Sequence, residues 1–231
     1  LIYDIKFTAG EVAFKLAFQQ RSKEIIQINY VDYEYNKDNK IKFQNKDYFI
    51  FLDINLINRH DEIFAVIKNG SLFDSKKYLE NLSSFFDKIE EKFNVEVIIA
   101  AHPKSSYSQN EFKNRKIIKD DTVNLVRNAH AVISHHSTSI SYAVLNKKPI
   151  IFIYDESIKN NFKNVYMFTK IFADYLQMPF LNIDLEEIEI IPNVCELKYD
   201  NYKYNFLTTK KSEQFTNKQI IEGFIKNEMV F

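Results

Sequence analysis

Val95-Glu-Val-Ile-Ile-Ala-Ala-His-Pro103 and, further along the chain, Ala131-Val-Ile-Ser-His-His-Ser-Thr-Ser-Ile140 are the stretches that decide the fold. Each is an apolar run rich in Val and Ile that continues directly into a polar cluster. Such runs, when flanked by helical patterns, are typical of buried parallel strands in an α/β sheet. Ligands of these sheets bind outside the carboxyl ends of the strands, where both clusters fall. The sequence therefore predicts that histidines and a hydroxyl triplet converge on one crevice suited to an anion, and above all to a phosphate.

The composition of the 231-residue chain excludes several classes of protein. Lys+Arg and Asp+Glu both number 31, so the net charge is zero and the basic surplus of a general nucleic-acid-binding protein is missing. Cys195 is the single cysteine, which excludes a disulfide framework and fits a reducing cytosol. No apolar run approaches the roughly 20 residues of a transmembrane helix. We therefore expect a cytoplasmic protein without a nucleic-acid partner.

Glycine is scarce, and this limits how a phosphate can be bound. Gly10, Gly70 and Gly223 are the only glycines of the chain. Neither the GxGxxG dinucleotide fingerprint nor the Walker A motif can be written with them. A phosphate site in this protein must therefore use side chains and a helix N-terminus.

Strand and helix patterns alternate along the chain, which predicts βαβ units with right-handed crossovers. Residues 32–46 are predicted to be a loop or linker, and 54–70 a long irregular connection. The predicted strands are 24–30, 48–53, 95–101, 131–134, 149–154 and 180–184. The predicted helices are 10–23, 74 or 75 to 93, 121 or 122 to 129, 138–145, 168–176 and 212–226.

Ser137, Thr138 and Ser139 follow one of these strands and open the next predicted helix. A helix N-terminus offers free N–H groups and about half a positive charge to a phosphate. Side-chain hydroxyls add further donors without any need for glycine. Ser and Thr are also common N-caps, so the triplet alone fits an ordinary helix start. The neighbouring histidines favour phosphate binding.

His102 and Pro103 end another strand at the same predicted edge of the sheet. A histidine there can hydrogen-bond a phosphate or, when protonated, offset charge on a departing nucleotide; the alternative is a polar strand end bonded to backbone. His135 and His136 are adjacent, so they point to opposite faces of an extended chain and at most one lines the site. A zinc centre made from these histidines lacks the usual spacing and ligands, so no metal is predicted.

Several other side chains are candidates for supporting roles. Asp53 ends a predicted strand, and Arg59-His-Asp-Glu62 follows on the next loop; these residues either contact a substrate or cap the loop. Lys104 and Arg127 are candidates for neutralising phosphate charge, although most such residues are solvated.

Several segments, taken in order, resemble those of bacterial surface-carbohydrate biosynthesis proteins. These proteins are similar in turn to GT-B-fold transferases that use CMP- or CDP-activated donors: sialyl-, polysialyl- and Kdo-transferases and teichoic-acid glycerophosphotransferases. The resemblance covers roughly residues 48 to 184. The segments are Phe51-Leu-Asp53, Tyr78-Leu-Glu-Asn-Leu-Ser-Ser-Phe-Phe-Asp87, Ala100-Ala-His-Pro103, Thr122-Val-Asn-Leu-Val-Arg-Asn-Ala129 and Ser134-His-His-Ser-Thr-Ser-Ile-Ser-Tyr-Ala-Val-Leu-Asn-Lys-Lys-Pro-Ile150.

The resemblance implies an α/β fold with a Rossmann-like parallel sheet flanked by helices, the C-terminal, donor-binding half of a GT-B architecture. It implies that His102-Pro103 and a hydroxyl pair, Ser137-Thr138 or Thr138-Ser139, hold the nucleotide phosphate, and we add Lys104 and His136 to this set. His102 is the candidate catalytic residue. Residues 1–46 are then a remnant of, or a connection to, an N-terminal domain, and residues 47–231 are the nucleotide-sugar-binding domain with a C-terminal helix.

The expected activity is metal-independent transfer of a sugar from a nucleotide-linked donor, presumed by resemblance to be CMP-linked, in bacterial surface polysaccharide synthesis. The donor is a substrate, so no cofactor is expected, and the acceptor is a glycan or a lipid-linked molecule. Peripheral association with the inner face of the cell membrane is left open. Two alternatives also stay open: a CDP-glycerol-type phosphotransferase, and a non-catalytic nucleotide-binding or assembly module.

Overall fold

The computed structural model describes residues 4–18, 23–38, 47–58, 73–108 and 110–226. The chain divides into two units, one made of Leu1–Ile41 with Cys195–Phe231 and the other of Lys42–Val194. The strands are β1 (Ile5–Ala9), β2 (Glu24–Ile28), β3 (Tyr48–Leu52), β4 (Glu96–Ala100), β5 (Ile117–Ile118), β6 (Ala131–Ser134), β7 (Ile150–Tyr154) and β8 (Phe180–Asn182). The helices are α1 (Gly10–Phe18), α2 (Val31–Asp38), α3 (Ser75–Phe93), α4 (Thr122–Asn128), α5 (Ile140–Leu145), α6 (Glu156–Asn161), α7 (Lys163–Leu176), α8 (Glu196–Tyr202) and α9 (Asn217–Ile225).

Six of these strands form one parallel sheet in the larger unit, in the order β5-β4-β3-β6-β7-β8. The residues of β3 and β6 are buried throughout, as expected for the two apolar strands at the centre of such a sheet. From β3 the chain proceeds outward through β4 to β5, and from β6 it proceeds outward the other way to β8. The strand order therefore reverses between β3 and β6, which makes this the topological switch point of the sheet.

Helix α3 covers one face of the sheet. Its N-cap is Asp74, whose Oδ1 accepts hydrogen bonds from two backbone N–H groups of the first turn, each 3.0 Å long. At its other end Asn94 adopts a left-handed conformation (φ 51°), a common way to stop a helix. The apolar face packs on β3, with the rings of Phe51 and Phe86 centred 5.2 Å apart. The buried residues of this face include Tyr78, Leu82, Phe85, Phe86 and Ile89, and Leu79 is partly buried against them.

The smaller unit contains the parallel pair β1–β2 together with α1, α2, α8 and α9. Gly10 has a positive φ of 72°, and a Cβ there would lie 2.4 Å from the carbonyl oxygen of Asn205, so the close approach of this backbone requires glycine. Asn29 is buried and links the first and last parts of the chain. Its backbone N–H donates to Asn217 Oδ1 (2.7 Å), and its Oδ1 accepts from the Thr208 hydroxyl (2.5 Å). Residues from Cys195 onward therefore group with the N-terminal residues, whereas the sequence placed them with residues 47–194.

Most predicted strands of the larger unit are confirmed, but several elements were missed. Residues 31–38 form a helix although a loop was predicted. Asp32 and Glu34 in its first turn and Lys37 in its last suit the helix dipole, and Glu34 and Lys37 also make tertiary hydrogen bonds to residues 217 and 213. The predicted helix 168–176 begins earlier, at Lys163. The parts of the predictions that fall on 19–22, 39–46 and 59–72 lie outside the described residues. Elements without a prediction are β1, β5, α6 and α8.

Candidate functional site

The carboxyl ends of β3, β4 and β6 bring the predicted site residues to one edge of the sheet. β3 pairs with both β4 and β6, and Asp53, His102 and His135 follow the ends of these three strands closely. The loop containing His102 and the loop containing Ser137 therefore lie on either side of the central strand. This is the switch point, where ligands of open α/β sheets bind.

Asp53 is nearly buried, with 9% of its surface exposed, and ties the loops of this edge together. Its Oδ2 accepts a hydrogen bond from the backbone N–H of His102 (3.0 Å). Its Oδ1 accepts from the backbone N–H of Asn55 (2.8 Å) and from the hydroxyl of Tyr107 (2.8 Å). Burial and the neighbouring Asp53 raise the pKa of Tyr107, so its phenol stays protonated and remains a donor. Tyr107 carried no signal in the sequence, because its partner is remote along the chain.

The loop after β4 holds His102 by both its backbone and its ring. Its carbonyl accepts from the backbone N–H and the hydroxyl of Ser105, at 2.8 and 2.7 Å. Its Nδ1 accepts from the backbone N–H of Lys104 (3.1 Å). A neutral imidazole with an accepting Nδ1 carries its proton on Nε2, so Nε2 is available as a donor. Pro103 and Lys104 are exposed, and His102 is half-buried.

The adjacent histidines have separate surroundings. His135 is fully buried; its Nδ1 lies 2.7 Å from the carbonyl oxygen of Ile153, and its Nε2 lies 2.9 Å from the hydroxyl of Tyr78. Burial lowers the pKa of His135 from 6.5 to about 4, so the ring is neutral and structural. His136 is half-buried, and its backbone N–H donates to the hydroxyl of Thr169 (2.9 Å). Of the two, His136 has the more exposed position beside the hydroxyl triplet.

The hydroxyl triplet forms a turn before α5. Ser137 Oγ accepts from the backbone N–H of Ser139 (3.2 Å), and the carbonyl of Thr138 accepts from the N–H and the hydroxyl of Ser141, at 3.1 and 2.8 Å. Ser139 makes no capping bond with its side chain, and Thr138 is exposed. The helix begins at Ile140, two residues later than predicted, and has only six residues. Hydroxyls and turn N–H groups are therefore the main donors here, and the helix dipole is a smaller contribution than the sequence suggested.

Two other charged residues have positions that the sequence did not establish. Arg127 is buried, and its Nε donates to Asn146 Oδ1 (3.3 Å) just before β7 begins, so it belongs to the opposite, amino edge of the sheet. Asp155 follows β7 and caps α6 by accepting from the N–H of Ile158 (2.6 Å). Burial, with a smaller contribution from Asp184, raises the pKa of Asp155 to about 6. Asp155 lines a cleft of about 290 Å³ with Asn81 and Asp184.

The described part of the chain shows neither a metal-ligand cluster nor a membrane span. There, no group of three His, Cys, Asp or Glu side chains is arranged to hold a metal ion. No helix in this part of the chain is long and apolar enough to cross a membrane. Arg59–Glu62, named above as possible substrate contacts, lies outside the described residues.

The fold is similar to that of solved enzymes. No protein-family model and no curated protein matches the sequence. UDP-GlcNAc 2-epimerase from Methanocaldococcus jannaschii, solved in complex with UDP-GlcNAc and UDP, superposes with a TM-score of 0.51 over 96% of this chain at 13% identity. The chain spans 61% of the length of that epimerase. A Rossmann-like α/β sheet of the GT-B type, flanked by helices, is therefore confirmed.

Two glycosyltransferase structures superpose less well. SnogD from Streptomyces nogalater has a TM-score of 0.43 at 7% identity, covering 94% of this chain and 62% of its own. The spinosyn forosaminyltransferase SpnP has a TM-score of 0.37 at 12% identity, covering 86% of this chain and 46% of its own.

The buried His135 predicts a specific pH dependence of stability. Below pH 6.5 the unfolded chain binds a proton at this position that the folded chain rejects until about pH 4. The free energy of unfolding should therefore fall by about 1.4 kcal/mol per pH unit as the pH decreases through this range. Urea denaturation of wild type and His135→Gln, at a series of pH values, measures the effect. His135→Gln should remove this dependence of the free energy of unfolding on pH, since glutamine can still bond Ile153 and Tyr78 but does not titrate.

Comparing wild type with His135→Gln separates the contribution of His135 from that of Asp155. The raised pKa of Asp155 changes the free energy of unfolding in the opposite direction with pH, and it is present in both proteins. His130→Gln is the matched control, because His130 is exposed. Equal slopes for wild type and His135→Gln would show that His135 is not the buried neutral group described here.

Proposed function

We propose that this chain binds the nucleotide of an activated sugar donor and forms the donor half of a GT-B-type glycosyltransferase. Two loops that carry hydrogen-bond donors support this proposal. One contains His102 and the other Ser137–Ser139, and they lie on either side of the switch point. Neither loop contains glycine, so side chains and turn N–H groups take the role that glycine-rich loops have elsewhere. The similarity to a structure solved with UDP-GlcNAc and UDP is consistent with a nucleotide-sugar ligand.

The proposed chemistry is stabilisation of the leaving nucleotide. As the sugar departs, negative charge grows on the donor phosphate, and preorganised donors that face this charge lower the barrier. His102 supplies Nε2–H from one side, and Thr138 and Ser139 supply hydroxyls from the other. Lys104 is exposed beside His102, where its cation adds to the field, and His136 lies next to the triplet. Transfer without a metal ion is part of the proposal.

The identity of the donor rests on the sequence resemblance, which favours a cytidine nucleotide. The same resemblance supports a glycan or lipid-linked acceptor, a role in bacterial surface polysaccharide synthesis, and work at the inner face of the membrane. A CDP-glycerol-type phosphotransferase would use the same phosphate site, because both reactions release a cytidine nucleotide. Comparing CDP-glycerol with CMP-linked sugars as donors separates the two.

The first test of the proposed function is a calorimetric panel. CMP, CDP, UMP, UDP and AMP are titrated into the protein, each with and without EDTA. Cytidine nucleotides should bind most tightly, and chelation should leave their affinity unchanged. Strict dependence on magnesium would contradict the metal-independent site. Equal affinity for all bases, or a preference for uridine, would contradict the cytidine donor.

The hydroxyl triplet allows capping to be separated from ligand binding. Ser137→Ala removes the acceptor of the Ser139 N–H and should lower the free energy of unfolding by about 1 kcal/mol. Thr138→Val removes an exposed hydroxyl at nearly constant shape, so melting of the free protein should stay the same. The thermal shift produced by CMP should instead become smaller. Thr122→Val, at the start of α4, is the control. It lies away from the candidate site and should not alter the thermal shift produced by CMP.

If Thr138→Val lowers stability without changing the thermal shift produced by CMP, the segment is only a helix start. That outcome would remove the hydroxyl half of the proposed site.

A further inference from the structure

The carboxylate of Asp53 is a hydrogen-bond acceptor shared by two segments at the carboxyl edge of the sheet. Within the described part of the chain, its two carboxylate oxygens accept from three donors on two segments: Asn55 N–H on one, and His102 N–H and Tyr107 Oη–H on the other. Asn55 continues from β3, whereas the other two belong to the loop after β4. Asp53 thus joins the end of the central strand to the loop that carries the candidate phosphate ligand.

This arrangement fixes the backbone of His102 on both sides. Its N–H donates to Asp53 and its carbonyl accepts from Ser105, while its ring nitrogen Nδ1 accepts from Lys104 N–H. With both backbone groups held, the imidazole has a defined position, and the turn selects the form with the proton on Nε2. A hydrogen-bond donor held in this way binds a ligand better than a mobile side chain does, because it loses less conformational freedom on binding.

We propose that Asp53 is the positioning residue for His102: its carboxylate anchors the loop and so directs the Nε2–H of His102 to the donor phosphate. The phosphate part of this proposal rests on the proposed function, whereas the positioning of the ring concerns the free protein. Asp53 acts through His102 and does not itself touch the ligand, since it is 9% exposed and both its oxygens are already engaged.

The chemistry of the side chain explains why a carboxylate is needed at this position. A carboxylate has only acceptor atoms and can serve all three donors at once. Asparagine has the same size, but its NH₂ group would face at least one N–H or O–H donor. Tyr107 supports the arrangement: its ring packs edge-on against Phe112, with centroids 5.0 Å apart, so its hydroxyl is held against Oδ1.

The experiment is a double-mutant cycle in the full chain with two readouts. Asp53→Asn, His102→Ala and the double variant are titrated with CMP, and the ¹⁵N signals of the His102 ring are recorded at mildly alkaline pH in wild type and Asp53→Asn. His102→Ala should weaken CMP binding roughly ten- to a hundred-fold, the effect of losing a hydrogen bond to a charged group. Asp53→Asn should lower the affinity for CMP about tenfold or more, and the double variant should bind CMP no more weakly than His102→Ala does. The ring signals should move from the Nε2–H form toward a mixture of tautomers.

Glu90→Gln is the matched control. Glu90 Oε1 accepts from the backbone N–H of Val97 (2.8 Å), so it anchors the opposite end of the same strand, β4. Its substitution should leave the CMP affinity and the His102 signals unchanged. If Asp53→Asn does not fold, Tyr107→Phe takes its place, because it removes one bond from Asp53 and keeps the carboxylate; the ring signals should move in the same direction, by less.

Two results would overturn the proposal. One is a folded variant, Asp53→Asn or its substitute, whose His102 signals match those of wild type. The other is additive losses of CMP affinity in the double variant, which would mean that Asp53 acts independently of His102. If wild type binds neither CMP nor any other nucleotide, the proposed function fails, and the ring signals alone still decide whether Asp53 positions His102.

Discussion

The parallel pairing of β3 with β4 on one side and β6 on the other is the constraint on which the site depends. The carboxyl end of each of these strands is buried and lies at the same edge of the sheet, so the loops that follow meet there. Because the chain order reverses at β3 and β6, helices on either side do not fill the crevice above them. The position of the site is therefore a consequence of strand order, and the side chains give it its chemistry.

Neighbouring residues at this edge of the sheet have different roles, some in stabilising the fold and others in the candidate site. His135 lies in the core, bonded to Ile153 and Tyr78, and joins β6 to β7 and α3. It fixes the point from which the chain emerges as His136 and the hydroxyl turn. Asp53 has the corresponding place on β3, where it fixes the His102 loop. Rigid supports on both central strands are what a preorganised anion site requires.

The sequence predicted the sheet well because apolar runs such as 48–53 and 131–134 are short and rich in aromatic or β-branched residues, which favours buried strands over helices. It also placed His102 and Ser137–Ser139 at strand ends, which follows from the same runs. It could not predict that Asp53 bonds His102 and Tyr107, because these contacts join residues far apart in sequence. The helix at 31–38 was missed since its Asn- and Asp-rich composition favours loops, and tertiary contacts outweigh that preference. The grouping of residues after Cys195 with the N-terminal unit likewise depends on contacts, such as those of Asn29, that have no local signal.

Mapping bound CMP on ¹⁵N-labelled protein would show whether a nucleotide phosphate lies between the His102 loop and the hydroxyl turn. We expect the backbone amide signals of Lys104, Thr138 and Ser139 to shift together on titration, with one common affinity. Shifts confined to the cleft around Asn81 and Asp184, or to the smaller unit, would place the nucleotide elsewhere and rule out a phosphate site between these two loops.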